Sequence, residues 1–250
     1  RAALTVGLEV AGFVAENCTS TTLKFEHISA LWGRLIQNPL APDEPNLLLA
    51  WLARVAPDDE LRHTPRRARM PAPAMSEETT RAVFQNLLCD PGIGMGSDAD
   101  SLSAERDGSV RMHDSVRIDG YKCIEKLFRV VNRQEGKLRA ATNRACFQVE
   151  NIELTGVGTI WAVFLGVRDQ AVSEAASEFI ISLHLNLASG VDRRTAWAAC
   201  FRRCLSHVQP AASTRTGDAR LLEKAARIAG FLACFIRRLE TVLPHAPDLR

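Results

Sequence analysis

The sequence predicts an all-α protein, and three observations predict it. Apolar residues recur at helical spacing through most of the 250 residues. Serine or aspartate stands ahead of several periodic stretches, and glycine or proline lies beyond their ends. The strict alternation of a half-buried strand is nearly absent. Each periodic stretch is about one helix long and apolar on one broad face, so each needs a neighbour to bury that face. Stacked helical pairs meet that need, which makes the expected architecture an α-solenoid segment with irregular loops.

The elements follow in order. A first helix around Leu31, Leu35 and Ile36 runs until Pro39, and a short second one spans Leu47 to Val55. Ser76 is placed to cap a third, with Thr79 and Thr80 inside it and its end at Cys89. From Ile118 one stripe runs through Tyr121, Ile124, Leu127, Phe128 and Val131, with Gly136 beyond its end. Asp169 is placed to cap a helix striped by Val172, Ala176, Phe179, Ile180, Leu183 and Leu187, followed by Gly190. Asp192 can cap the next, striped by Trp197, Cys200, Phe201, Cys204 and Leu205. Asp218 can cap the last, striped by Leu221, Leu222, Ala225, Ile228, Ala229, Leu232, Ile236 and Leu239. The chain therefore divides into N-terminal helices over 1–56, a basic proline-rich linker over 57–75 and a single helix over 76–90. A flexible Gly/Ser/Asp-rich insertion over 91–114 and a helical segment over 115–250 complete it.

Composition narrows the function. Lys and Arg number 31 against 29 Asp and Glu, a net charge of +2, which gives no global reason to expect nucleic acid. Acidic residues outnumber basic ones over 1–116 and the reverse holds over 191–250, so a basic C-terminal face toward an acidic partner competes with ordinary solvated arginines. Arg62, Arg66, Arg67 and Arg69 among prolines read first as a solvated linker and second as a docking patch. The longest nearly uncharged stretch, Leu154 to Val167, is too short to span a bilayer, which takes roughly 18–20 apolar residues. Seven cysteines without paired loop spacing, and no secretory leader, point to free thiols in a reducing, cytoplasmic setting. The chain begins at Arg1, and we expect it to be a piece of something longer.

Candidate sites meet bland alternatives. Gly92, Gly94 and Gly96 imitate part of a dinucleotide fingerprint, but "RAVFQNLLC" before them looks like a helix end rather than a strand, so no cofactor is expected. Asp98 and Asp100 open a calcium-loop pattern that fails at Leu102 and Ser103. Cys200, Cys204 and His207 share a helix face, yet a closed zinc site wants four ligands, and cysteines among Trp197, Phe201 and Leu205 read as core; no metal is expected. Cys18, between Asn17 and Thr19, is the one cysteine in a polar setting, with no histidine evidently paired to it.

The stretch "VNRQEGKLRAATNRACFQVENIELTGVGTIW" raises the sharpest question, because its lysine and glycines could serve a phosphate or simply join two helices. It resembles the non-catalytic helical-repeat part of the large ubiquitin-specific proteases of the fat-facets type. The resemblance rests on Val131-Asn132, Glu135-Gly136-Lys137-Leu138, a basic segment, an acidic step into Leu154, then Gly156 and a group ending in Trp161 and Val163. "CIEKLF" before and "EAASEFIISLHLNL" after extend it over about 117–208. It implies an armadillo/HEAT-like scaffold that binds proteins: substrates, ubiquitin or regulators of a deubiquitinase. That family's protease boxes do not occur here. Cys18 is followed by Thr19 and Ser20, and Tyr121, the one tyrosine, follows Asp119-Gly120 rather than Gly-His. No catalytic residue is carried over. On this reading the stretch is a joint, in which Gly136 turns left-handed, Trp161 anchors the next helix, and Lys137 lies along the surface with its head in water. A thiol-dependent hydrolase using Cys18, or an armadillo-like adaptor unrelated to ubiquitin, are the alternatives.

Overall fold

The computed structural model describes residues 4–5, 7–11, 23–37, 39–57, 75–89, 116–141, 147–213 and 219–242, and helix dominates among them. Residues 4–5 and 7–11 are helical. Helix α1 (Phe25–Trp32) widens into a π-turn at Gly33–Gln37, followed by α2 (Glu44–Val55). Helix α3 (Glu77–Val83) ends likewise in a π-turn, Phe84–Leu88. Then come α4 (Ile118–Gln134), strands β1 (Leu138–Arg139) and β2 (Gln148–Val149), α5 (Val157–Gly166), α6 (Gln170–Leu185), α7 (Arg193–Ser213) and α8 (Ala219–Val242). The expected insertion over 91–114, most of the linker over 57–75, the cap at Asp218 and the candidates Cys18, Gly92, Gly94, Gly96, Asp98 and Asp100 lie outside the described residues.

Three of the four expected caps lie within the described residues, and these three are present. Ser76 Oγ accepts from the Thr79 N–H at 3.1 Å, Asp169 Oδ1 from Ala171 at 2.9 Å, and Asp192 Oδ1 from Arg194 at 3.0 Å. Each satisfies an N–H that a helix start leaves unpaired.

Long-range caps then lock helices together. Arg117, just before α4, donates its N–H to Asn46 Oδ1 at 2.8 Å and pairs with Asp43 at 2.8 Å. Further along α4, Lys126 Nζ donates to the carbonyls of Ala53 and Ala56 at 2.7 and 3.0 Å, at the end of α2. The two helices therefore run parallel, start beside start, with a cation on the electronegative end of α2. Gly120 allows the close approach: a Cβ there would sit 2.9 Å from Asn46 Oδ1 and 3.0 Å from Leu49 Cδ1. One continuous core cluster of described residues runs from Leu8 to Leu239.

Aromatic rings knit the core in two places. Phe84, Phe128, Phe179 and Phe147 meet edge to face, with centroids 5.4 to 6.1 Å apart, and join α3, α4, α6 and the loop into β2. Trp161, Phe164, Phe231 and Phe235 join α5 to α8.

The predicted α4 stripe is buried throughout. Two other stripes need correction. Leu205 on α7 is 65% exposed. On α8 the inward face is Ile228, Phe231, Phe235 and Leu239, while Leu222, Ala229 and Ile236 of the expected stripe face solvent. The reason is area: two phenylalanines bury more apolar surface than the aliphatic residues they displace, and they set the helix's rotation. The short β-hairpin, which pairs Leu138 with Val149 and Arg139 with Gln148, was also not expected, since two-residue strands carry no period.

Trp161 is 2% exposed, with Phe164 and Phe231 on its edges and the His207 ring stacked 5.9 Å away. Trp161→Ala should cost about 3–5 kcal/mol in urea unfolding. A loss under about 1 kcal/mol, typical of surface changes, would contradict this packing.

Candidate functional site

Of the residues singled out between 131 and 163, Asn132, Glu135, Gly136, Lys137 and Gly156 converge on one joint, where the ends of α3 and α4 meet the start of α5, while Trp161 packs further along α5 against α7 and α8. Helix α4 stops in a Schellman arrangement. Gly136 takes φ +68°, its N–H donates to the Arg133 carbonyl at 2.9 Å, and the Lys137 N–H donates to that of Asn132 at 2.8 Å. This is the left-handed exit expected of Gly136. Val131, Leu138, Leu154 and Val163 are buried around it.

Asn132 is the centre of the joint. Its fully buried amide donates from Nδ2 to the Thr155 carbonyl at 2.9 Å and accepts at Oδ1 from the Thr155 N–H at 2.8 Å. A second Nδ2 hydrogen bond reaches the Phe128 carbonyl at 2.9 Å. One side chain thus imitates a strand partner for the loop just before α5 and leaves none of these groups unpaired.

Beside it, Glu135, Lys137 and Thr155 close a triangle. Lys137 Nζ lies 2.7 Å from Glu135 Oε2 and 2.8 Å from Thr155 Oγ1, and Thr155 Oγ1 donates to Glu135 Oε2 at 2.6 Å. Gln85, at the end of α3, donates to the other Glu135 oxygen at 3.3 Å. Burial pulls the Glu135 carboxyl upward, but hydrogen bonds from Lys137 and Thr155, with the charges of Lys137 and Arg81, outweigh it and hold it below its ordinary value. The expectation that Lys137 carries its head in water is therefore corrected. Its ammonium is held by two partners, because the Schellman turn folds it back over the helix end.

Gly156 completes the joint. It takes φ +76° and lies against α3 so closely that a Cβ would fall 2.5 Å from the Phe84 ring and 2.8 Å from Cys89 Sγ. Thr159, one turn on, donates to the Leu88 carbonyl at 3.1 Å and closes the end of α3. Asn132, Glu135, Lys137, Thr155 and Thr159 are thus each engaged by a partner within the stretch or on α3.

Of the described cysteines, Cys89, Cys123, Cys200 and Cys204 lie in largely apolar surroundings, while the half-buried Cys234 sits 4.0 Å from Glu178 Oε1. Burial raises Cys89 to about 11 and Cys123 to about 12. Cys200 is driven up by its hydrogen bond with Cys204 and by burial, and both belong to the core, as the apolar setting implied. His207, the third member of that face, is stacked on Trp161. Burial, and after it the charges of Arg203 and Lys224, lower it to about 4, so its ring is neutral at neutral pH. Among the described residues no group of His, Cys, Asp and Glu is arranged to hold a metal ion. A hollow of about 240 Å³ beside the hairpin, walled by Phe147, Gln148, Leu185, Asn186, Leu187 and Arg193, falls below the roughly 300–1,000 Å³ usual for small-molecule sites. No described helix is long and apolar enough to cross a membrane.

No protein-family model matches the chain, and no curated protein matches it.

The joint generates two expectations. Gly136→Ala should cost about 1–2 kcal/mol, because a Cβ there meets nothing within 4 Å and only the left-handed backbone opposes it. Gly156→Ala should cost clearly more in the same urea titration, since it adds a clash with Phe84; equal losses would contradict the close approach. The second concerns pH. A depressed folded-state carboxyl stabilises above its unfolded value, roughly 4.3 for glutamate, and loses that contribution as pH falls through the folded value. Wild type should therefore exceed Glu135→Gln in stability at neutral pH, with the gap closing in acid. A gap that widens on acidification would show the opposite linkage.

Proposed function

We propose that the chain is an armadillo/HEAT-like helical scaffold segment that works by binding proteins, in the setting of a large deubiquitinase of the fat-facets type. One observation carries the reading. Asn132, Glu135, Gly136, Lys137, Gly156 and Trp161, the residues on which the resemblance rests, are all used to join helices. A pattern whose polar and glycine members serve one joint, and whose tryptophan anchors the helix that leaves it, is what a structural repeat retains, and a phosphate-binding site would instead leave the lysine and backbone amides turned outward. The short links between α5 and α6 and between α7 and α8 give adjacent helical pairs, the unit from which such scaffolds are stacked. The partners of the reading are proteins: substrates, ubiquitin or regulators.

The purified chain should release no fluorophore from the C-terminus of ubiquitin, because thiol attack needs a thiolate, a nearby proton acceptor and oxyanion donors. It should instead retain ubiquitin-conjugated proteins on an affinity matrix, and a Trp161→Ala control should lose that retention with its fold. Turnover abolished by Cys18→Ala would replace the scaffold reading with a thiol hydrolase.

A further inference from the structure

Helix α8 has a second apolar face, turned away from the core. Leu222, Ala226, Ala229, Ala233 and Ile236 succeed one another at alternating steps of four and three, and all are exposed, Leu222 to 58% and Ile236 to 45%. Those steps are the seam spacing of two helices packed side by side. The inner face already meets α5, α6 and α7 through Ile228, Phe231 and Phe235, so the chain's own core does not require this outer seam.

Gly230 borders the seam at its middle. A glycine inside a helix costs about 1 kcal/mol relative to alanine. Nothing among the described residues explains it, for a Cβ at this position would meet none of them within 4 Å. A second helix crossing at this point would.

Charge identifies the occupant. On the same flank as Gly230, one heptad to either side, stand the exposed Arg237 and the exposed Glu223, whose carboxylate pairs with Arg227 of its own helix at 2.7 Å and still faces solvent. In an antiparallel pair of identical helices each flank meets itself, so a two-fold near Gly230 sets Glu223 of one copy opposite Arg237 of the other, twice over. A parallel pair would set this flank against the partner's other flank, which carries Ala225 and Leu232, and would leave Glu223 and Arg237 without each other. The apolar ends obey the same symmetry, Leu222 of one copy lying beside Ile236 of the other, with alanines between that let the backbones close in.

We propose that the outward face of α8 is a homodimer interface, formed by antiparallel packing of α8 on α8 about a two-fold axis near Gly230. The interface is isologous, as two-fold contacts must be. A single helix pair with a small-residue seam sits at the lower end of specific interface sizes, so association is reversible and depends on concentration. The proposal is independent of the deubiquitinase setting.

Sedimentation analysis of the full chain, from low micromolar to several hundred micromolar, tests it. Wild type should pass from monomer to dimer. Glu223→Arg or Arg237→Glu alone turns both cross-pairs repulsive and should weaken the dimer about tenfold or more. An equimolar mixture of these two variants makes both pairs attractive again and should dimerise more tightly than either alone. Gly230→Leu should abolish the dimer without lowering the melting temperature of the monomer, since leucine is the better helix former. A wild type that stays monomeric throughout, a dimer indifferent to both charge reversals, or a mixture no tighter than its components would each overturn the proposal.

Discussion

The bidentate pairing of the Asn132 side chain with the backbone of Thr155 is the constraint on which the rest of the fold depends. It fixes where the chain re-enters after the hairpin, and therefore where α5 begins. Once Thr155 is held, Gly156 must turn left-handed beneath Phe84, and Trp161, a turn and a half further on, points into the space between α7 and α8. Asn132 lies in the buried stripe of α4, where an apolar residue would add to the core but leave the loop's N–H and C=O without partners. An unsatisfied buried backbone group costs about 1–3 kcal/mol, comparable to the gain from burying one aliphatic side chain. With two such groups at stake, the polar residue wins.

The same logic governs the helix ends. Lys126 closes α2, Thr159 closes α3, and Ser173 and Arg227 both donate to the Phe164 carbonyl near the end of α5. Trp197 Nε1 donates to the His184 carbonyl at the end of α6. In these four helices a carbonyl at or near the C-terminus is thus satisfied by a side chain from another element, so tertiary packing and helix termination are coupled. Displacing one helix would uncap its neighbour as well as expose its apolar face.

That coupling explains what was legible in the sequence. N-caps were, because Ser76, Asp169 and Asp192 act on amides two or three residues away and local order suffices to see them. The left-handed exit at Gly136 was legible for the same reason. C-caps supplied across the fold were not: Lys126 reads as one more lysine on an amphipathic helix until Ala53 and Ala56 are brought to it. Lys137 was misjudged because its fate depends on Thr155, which nothing in the spacing marks as a neighbour. The α8 stripe was misjudged for a different reason. That helix carries apolar residues around more than half its circumference, and periodicity alone cannot say which arc turns inward. Phe231 and Phe235 decide it through their contacts with Trp161, Phe164 and Phe201.

Those two outcomes belong together. A chain whose local choices all serve its own fold leaves no residue without a structural reason. Around the joint Asn132, Glu135, Lys137 and Thr155 come close to that condition, each with a partner within the chain, although the buried amide of Gln134 beside them has none among the described residues. On the outer face of α8 it is not met, for Gly230 weakens the helix without relieving any contact, and Leu222 and Ile236 stay in water. The paired polar groups of the stretch that most resembled a binding site are thus used to join helices, while the helix that resembled plain core has a face that no described residue covers. Interaction is to be sought where the sequence departs from the demands of its own packing, rather than where its motifs are densest.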